Sequence, residues 1–142
     1  MQRVGIIDDD DRVRLSVKLL LEVSGLEVET FASAEEFLGC QDCFSRFACL
    51  IVDFRLSGGL NGLELVRTLR EQQVLIPTVI SSGFTSESDE AAFVAAGVAA
   101  VLNKPVVPKQ LVKIIKEVIA LGQMRRARRA AKRVKNSFRL AQ

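Results

Sequence analysis

Residues 48–52 read Ala-Cys-Leu-Ile-Val, an unbroken apolar run that stops on Asp53. Five residues make a strand but too short a helix, and neither face of that strand carries a polar side chain. Such a strand has to be covered on both sides. An inner strand sheathed on both faces implies parallel neighbours, because the crossover helices that join parallel strands supply the two outer layers. This one run therefore constrains the whole chain.

The remaining segments meet that constraint. Residues 3–7 form a short apolar strand that ends at four aspartates, residues 8–11. Apolar positions 13, 17, 20 and 21 predict a helix over 13–23, closed by Gly25. Residues 26–31 alternate apolar and acidic, as an edge strand does. Ser33 and Glu36 have the spacing of a capping box for a short helix. A loop with Gly58, Gly59 and Gly62 leads to helical periodicity over 63–72. Strand 78–81 follows Pro77, helix 86–96 ends at Gly97, and strand 98–102 precedes Lys104-Pro105. Pro108 suits the first turn of a last helix, 108–121. Strand and helix alternate five times, so the fold class is α/β with a doubly wound, five-stranded parallel sheet.

Composition removes several kinds of chemistry. The 142 residues contain no His, Trp or Tyr. Without His there is no Ser-His-Asp or Cys-His arrangement and no imidazole zinc ligand. Cys40, Cys43 and Cys49 are an odd set in a chain that opens without a signal peptide, so reduced, incidental thiols and a cytoplasmic location are expected. The Cys40-to-Cys43 spacing lacks the further ligands that zinc needs. No apolar run reaches the roughly 18 residues that cross a bilayer. The net charge of +3 is divided: residues 1–121 hold 12 bases and all 17 acids, or −5, and residues 122–142 hold eight bases and no acid, or +8.

In open α/β sheets, ligands bind beyond the carboxyl ends of the strands. The residues there are Asp8 and Asp9, Asp53, Ser82 and Lys104. Three carboxylates repel one another unless a cation sits among them, and few all-oxygen ligands suit Mg2+. A lysine beside them offsets charge or binds a phosphoryl oxygen. Counting from Pro77 directs Ser82 to this rim and Ser81 to the opposite face.

With IIDDD (6–10), IVDFRL (51–56), NGLEL (61–65), ISSG (80–83) and NKP (103–105) in this order, residues 1–121 resemble the receiver domain of bacterial response regulators. SAEEFL (33–38) is most similar to receivers of helix-turn-helix transcription regulators. The resemblance implies a flavodoxin-like strand order 2-1-3-4-5. It implies that Asp53 accepts a phosphoryl group from a histidine kinase or phosphotransfer protein. It further implies Mg2+ held by Asp8, Asp9, Asp53 and the backbone carbonyl of Arg55, with Ser82 and Lys104 as catalytic partners of Asp53. Rival expectations are a receiver-shaped interaction scaffold that signals without phosphate and, more remotely, a Mg2+-dependent hydrolase with an Asp nucleophile.

Some positions depart from the family. Ser57 stands where a proline is usual, and Gly62 comes one residue later than is common. Val101 replaces a switching aromatic, and Val106 follows Lys104-Pro105 where an aromatic is frequent. Arg55 and Phe84 occupy the positions that tune phosphoryl lifetime, and neither orients a water, so slow self-dephosphorylation is expected. Residues 122–142 are expected to extend the last helix. Ala120, Met124, Ala127, Ala131, Val134 and Phe138 form a stripe spaced 4, 3, 4, 3, 4, wrapped in arginine and lysine. A homodimer through this helix or through the last strands and helices is one expectation, and a weak nucleic-acid contact is another.

Overall fold

The computed structural model describes residues 2–141, without the side chains of residues 138, 140 and 141. Five strands, β1 (Arg3–Ile7), β2 (Glu27–Phe31), β3 (Phe47–Asp53), β4 (Thr78–Ser82) and β5 (Ala100–Asn103), make one sheet in the order β2-β1-β3-β4-β5. Every pairing is parallel. The helices are α1 (Asp11–Val23), α2 (Ala34–Leu38), α3 (Gly62–Glu71), α4 (Glu87–Ala96) and α5 (Pro108–Ala141). The expected flavodoxin-like order is the observed one. Among the described residues no helix is long and apolar enough to cross a membrane.

All seven residues of β3 are buried, and alternation along the strand divides the core. Cys49 and Ile51 face one side, with Val79, Leu102, Leu21, Leu111 and Ile115. Leu50 and Val52 face the other, with Phe37, Leu65 and Leu69. Each fully buried aliphatic side chain contributes roughly 1.5–3 kcal/mol, so the strand is fixed in place from both sides. Gly5 pairs with Leu50 of β3, and an added Cβ would lie 2.7 Å from Leu50 Cδ2.

The boundaries differ from the sequence expectation where caps intervene. Helix α1 starts at Asp11, because Asp10 accepts hydrogen bonds from the amides of Arg12 and Val13. Strand β5 starts at Ala100, because Val98 donates to the Phe93 carbonyl in closing α4 over Gly97, which has φ +78°. Strand β4 runs one residue farther, to Ser82. Helix α5 continues to Ala141 and contains the predicted stripe; the side chain of Phe138, its last member, lies outside the described residues. Cys40 and Cys43 are brought together across a 3₁₀ turn (Gln41–Arg46), their Cα atoms 5.5 Å apart, a spacing from which two thiols can pair. Cys49 is the buried free thiol, which desolvation pushes up to about 12.

Candidate functional site

Backbone bonds carry the ladder past the strand ends and position the site. The amides of Asp8, Phe54 and Lys104 donate to the carbonyls of Phe31 (3.1 Å), Ser81 (2.8 Å) and Ser82 (2.8 Å). Asp8, Asp53 and Lys104 therefore leave β1, β3 and β5 at the same end of the sheet. Gly62 completes the positioning, since an added Cβ there would lie 2.6 Å from the Asp53 carbonyl oxygen.

Asp53 is buried at the last position of β3. Its Oδ2 accepts from Lys104 Nζ at 3.0 Å, and its Oδ1 from the Arg55 amide at 3.2 Å. Asp8 is buried as well; its Oδ1 accepts from the Asp10 amide at 2.9 Å, and its carbonyl from Arg14 at 2.6 Å. Asp9 is exposed. Carboxylate oxygens of Asp8, Asp9 and Asp53 all lie within 4.8 Å of one another. Burial pushes the Asp8 carboxyl up, opposed by the Asp10 amide and reinforced by the negative charge of Asp53. Three carboxylates this close together repel one another, and a divalent cation among them relieves that repulsion. Three hard oxygen donors with open space between them fit Mg2+. A cavity of about 360 Å³ opens over the group, lined by Asp8, Arg12, Asp53, Ser81 and Lys104 among others.

The two serines of β4 divide differently from the count. Ser81 is in register with Asp53 and lines the same cavity. Paired residues of parallel strands point to one face, so Ser81 and Asp53 share a side. Ser82 is buried and donates its hydroxyl to the Phe84 carbonyl at 2.8 Å. Val101 packs with Ile80 and Phe93. Phe84 is 71 % exposed.

Sequence reading missed one residue here. Ser57 gives both its amide (3.0 Å) and its hydroxyl (2.5 Å) to Asp9 Oδ2. The Ser57 hydroxyl is the main reason the Asp9 carboxyl is held below its ordinary value. The signal was present: a serine in place of the usual proline adds two donors that proline lacks. The same loop is tied at its far end, where Leu60 donates to Glu35 Oε1 at 2.7 Å and Gly59 lies directly against that carboxylate.

The family model of the response regulator receiver domain matches residues 4–116. The chain belongs to the response regulator receiver family. The receiver is 39% identical over 80 residues to the transcriptional regulatory protein FixJ of Azorhizobium caulinodans, covering 56% of this chain and 37% of that one. It is 30% identical over 120 residues to the transcriptional regulatory protein TdiR of Thauera aromatica, covering 84% and 52%. Among solved structures it is similar to chemotaxis protein CheY4 of Vibrio cholerae, with a TM-score of 0.75 and 30% identity over 83% of this chain and 98% of that one. The receiver spans about a third to a half of the length of these two curated relatives.

Proposed function

We propose that this receiver is a phosphorylation switch of a two-component system, with Asp53 as the phosphoryl acceptor. The observation that carries this is the pairing of Asp53 with Lys104 at 3.0 Å beside two further carboxylates. An Asp53 oxygen attacks the phosphorus of a phosphohistidine on a kinase or phosphotransfer protein. The P–N bond breaks, the imidazole leaves, and an acyl phosphate remains on Asp53. Lys104 holds a phosphoryl oxygen, and its ammonium offsets charge that Asp53 alone would not tolerate. Asp8, Asp9, Asp53 and the Arg55 carbonyl would hold Mg2+, which would supply positive charge to offset the negative charge of the incoming phosphoryl group.

Ser82 leaves the Phe84 carbonyl and donates to the phosphoryl group, which draws the β4–α4 segment inward. Val101 offers no aromatic to follow it, so the output change lies in that segment. Arg55 and Phe84 do not orient a water, so the phosphoryl group is long-lived. The receiver occupies residues 1–121 of a cytoplasmic protein and catalyses only its own phosphorylation and dephosphorylation. Residues 122–142 form a basic tail to that domain.

The test is intact mass after incubation with Mg2+ and acetyl phosphate. One added phosphoryl group, absent in Asp53→Asn, is the expected result. Mg2+ binding with no mass gain favours an interaction scaffold that signals without phosphate, and no binding of either kind refutes the reading.

A further inference from the structure

The last buried residue of α5 is Ile119, and every described side chain from Gln123 to Ser137 is exposed. Over residues 122–141 the helix carries eight bases and no acid, and among the described residues none of those bases is in an ion pair. At 100° per residue, the eight bases fall within about half of the circumference. Met124, Ala127, Ala130, Ala131 and Val134 fill much of the remainder. Like charges at i,i+4, such as Arg125 with Arg129 and Arg129 with Arg133, oppose the helix that holds them. A polyanion along that face would remove the repulsion.

A second feature lies at the root of the same face. An added Cβ at Gly122 would lie 3.1 Å from Pro77 Cγ, so α5 crosses the sheet closely there. The crossing forms a groove of about 530 Å³ at the end of the sheet opposite Asp53, lined by Leu75 and Pro77 before β4 and by Leu121, Arg125, Arg126 and Arg129 of α5. Arg70 lines it too, fixed by hydrogen bonds to the carbonyls of Val74 (2.8 Å) and Ile76 (3.2 Å).

We propose that the basic face of α5 binds the phosphate backbone of a nucleic-acid duplex, with Arg125, Arg126 and Arg129 taking phosphates at the groove. Charge density selects this occupant. Seven bases between Arg125 and Lys135 span about 15 Å of helix, one per roughly 2 Å, close to the one charge per roughly 1.7 Å of B-DNA. The apolar arc is mostly alanine, too small to hold a bilayer surface. Residues 122–137 contain no aromatic to stack unpaired bases. A second copy would set +8 beside +8. The contacts are to phosphate, so the binding is blind to base sequence.

The test is fluorescence anisotropy of the full 142-residue chain on a labelled duplex of about two helical turns, repeated with a scrambled sequence and over a salt series. Equal affinity for both sequences is expected, falling linearly with log salt. Joint replacement Arg125→Gln, Arg126→Gln and Arg129→Gln should weaken binding at least tenfold and make the salt slope shallower by about 2.7, from about 0.9 per contact. Circular dichroism and Asp53 phosphorylation verify that this variant folds. No binding at low salt, an unchanged slope in the variant, or tighter binding to vesicles of anionic phospholipid each overturns the proposal.

Discussion

Replacing Ser57 by alanine tests how far the β3–α3 loop builds the proposed cation site. Asp9 Oδ2 accepts two hydrogen bonds, from the Ser57 amide at 3.0 Å and from its hydroxyl at 2.5 Å. Two donors fill the lone pairs of that oxygen and leave Oδ1 free to face a metal. Ser57 thus turns the carboxylate and holds it. Removing such a partner from a ligating carboxylate costs about 10–100-fold in metal affinity. In Ser57→Ala the amide donor stays, so the lower figure applies: about tenfold, or about 1.4 kcal/mol. Ser57→Pro removes both donors and should approach a hundredfold. The assay is isothermal titration calorimetry with Mg2+, with Asp53→Asn as a reference variant. Thermal stability without Mg2+ should change little in Ser57→Ala, because both hydrogen bonds lie at an exposed carboxylate. Equal or tighter Mg2+ binding by Ser57→Ala, in a wild type that binds, would refute the reasoning.

Other perturbations follow from the same geometry. Asp8→Asn should raise the melting temperature of the metal-free protein by a few degrees at neutral pH, because the folded-state carboxyl is raised from its ordinary 3.8 and its ionisation opposes folding above that pH. Asp9 has the opposite sign: its lowered carboxyl adds stability above the ordinary value, and acid titration should remove that increment as pH falls through the folded value. Ser82→Ala should lower the rate of phosphorylation by acetyl phosphate more than Ser81→Ala does, and intact-mass time courses decide between the two hydroxyls. Phe37→Ala, which empties a site shared with Phe31, Phe44 and Phe47, should cost about 3–5 kcal/mol in urea unfolding. Cys49, with its thiol at about 12 and its side chain buried, should resist iodoacetamide at pH 8 until denaturant is added, as peptide mass mapping would show.

Much of the fold was legible because burial on both faces leaves a plain mark in sequence. The run 48–52 announced β3, and the acid at its end announced the level of the site. What escaped depended on contacts that no local pattern encodes. The closure over Gly97 used Val98 before β5 could begin. A count from Pro77 set the alternation of Ser81 and Ser82, but pairing with β3 placed Ser81 beside Asp53. Ser57 lies 48 positions from Asp9, and only the folded loop brings them together. The approach of Cys40 to Cys43 is made by a turn that the sequence presented only as a spacing.

Helix α5 begins four residues after Lys104 and runs without interruption for 34 residues, about 51 Å. Its first three turns are clamped to the sheet, and from Gly122 its exposed length to Ala141 is about 30 Å. It is therefore a lever whose short arm starts beside the candidate acceptor. A tilt of about 5° at the clamp sweeps the distant end through about 3 Å, a displacement that the compact part of the molecule would not reveal. Distance labels on the last turns would register that amplified motion directly.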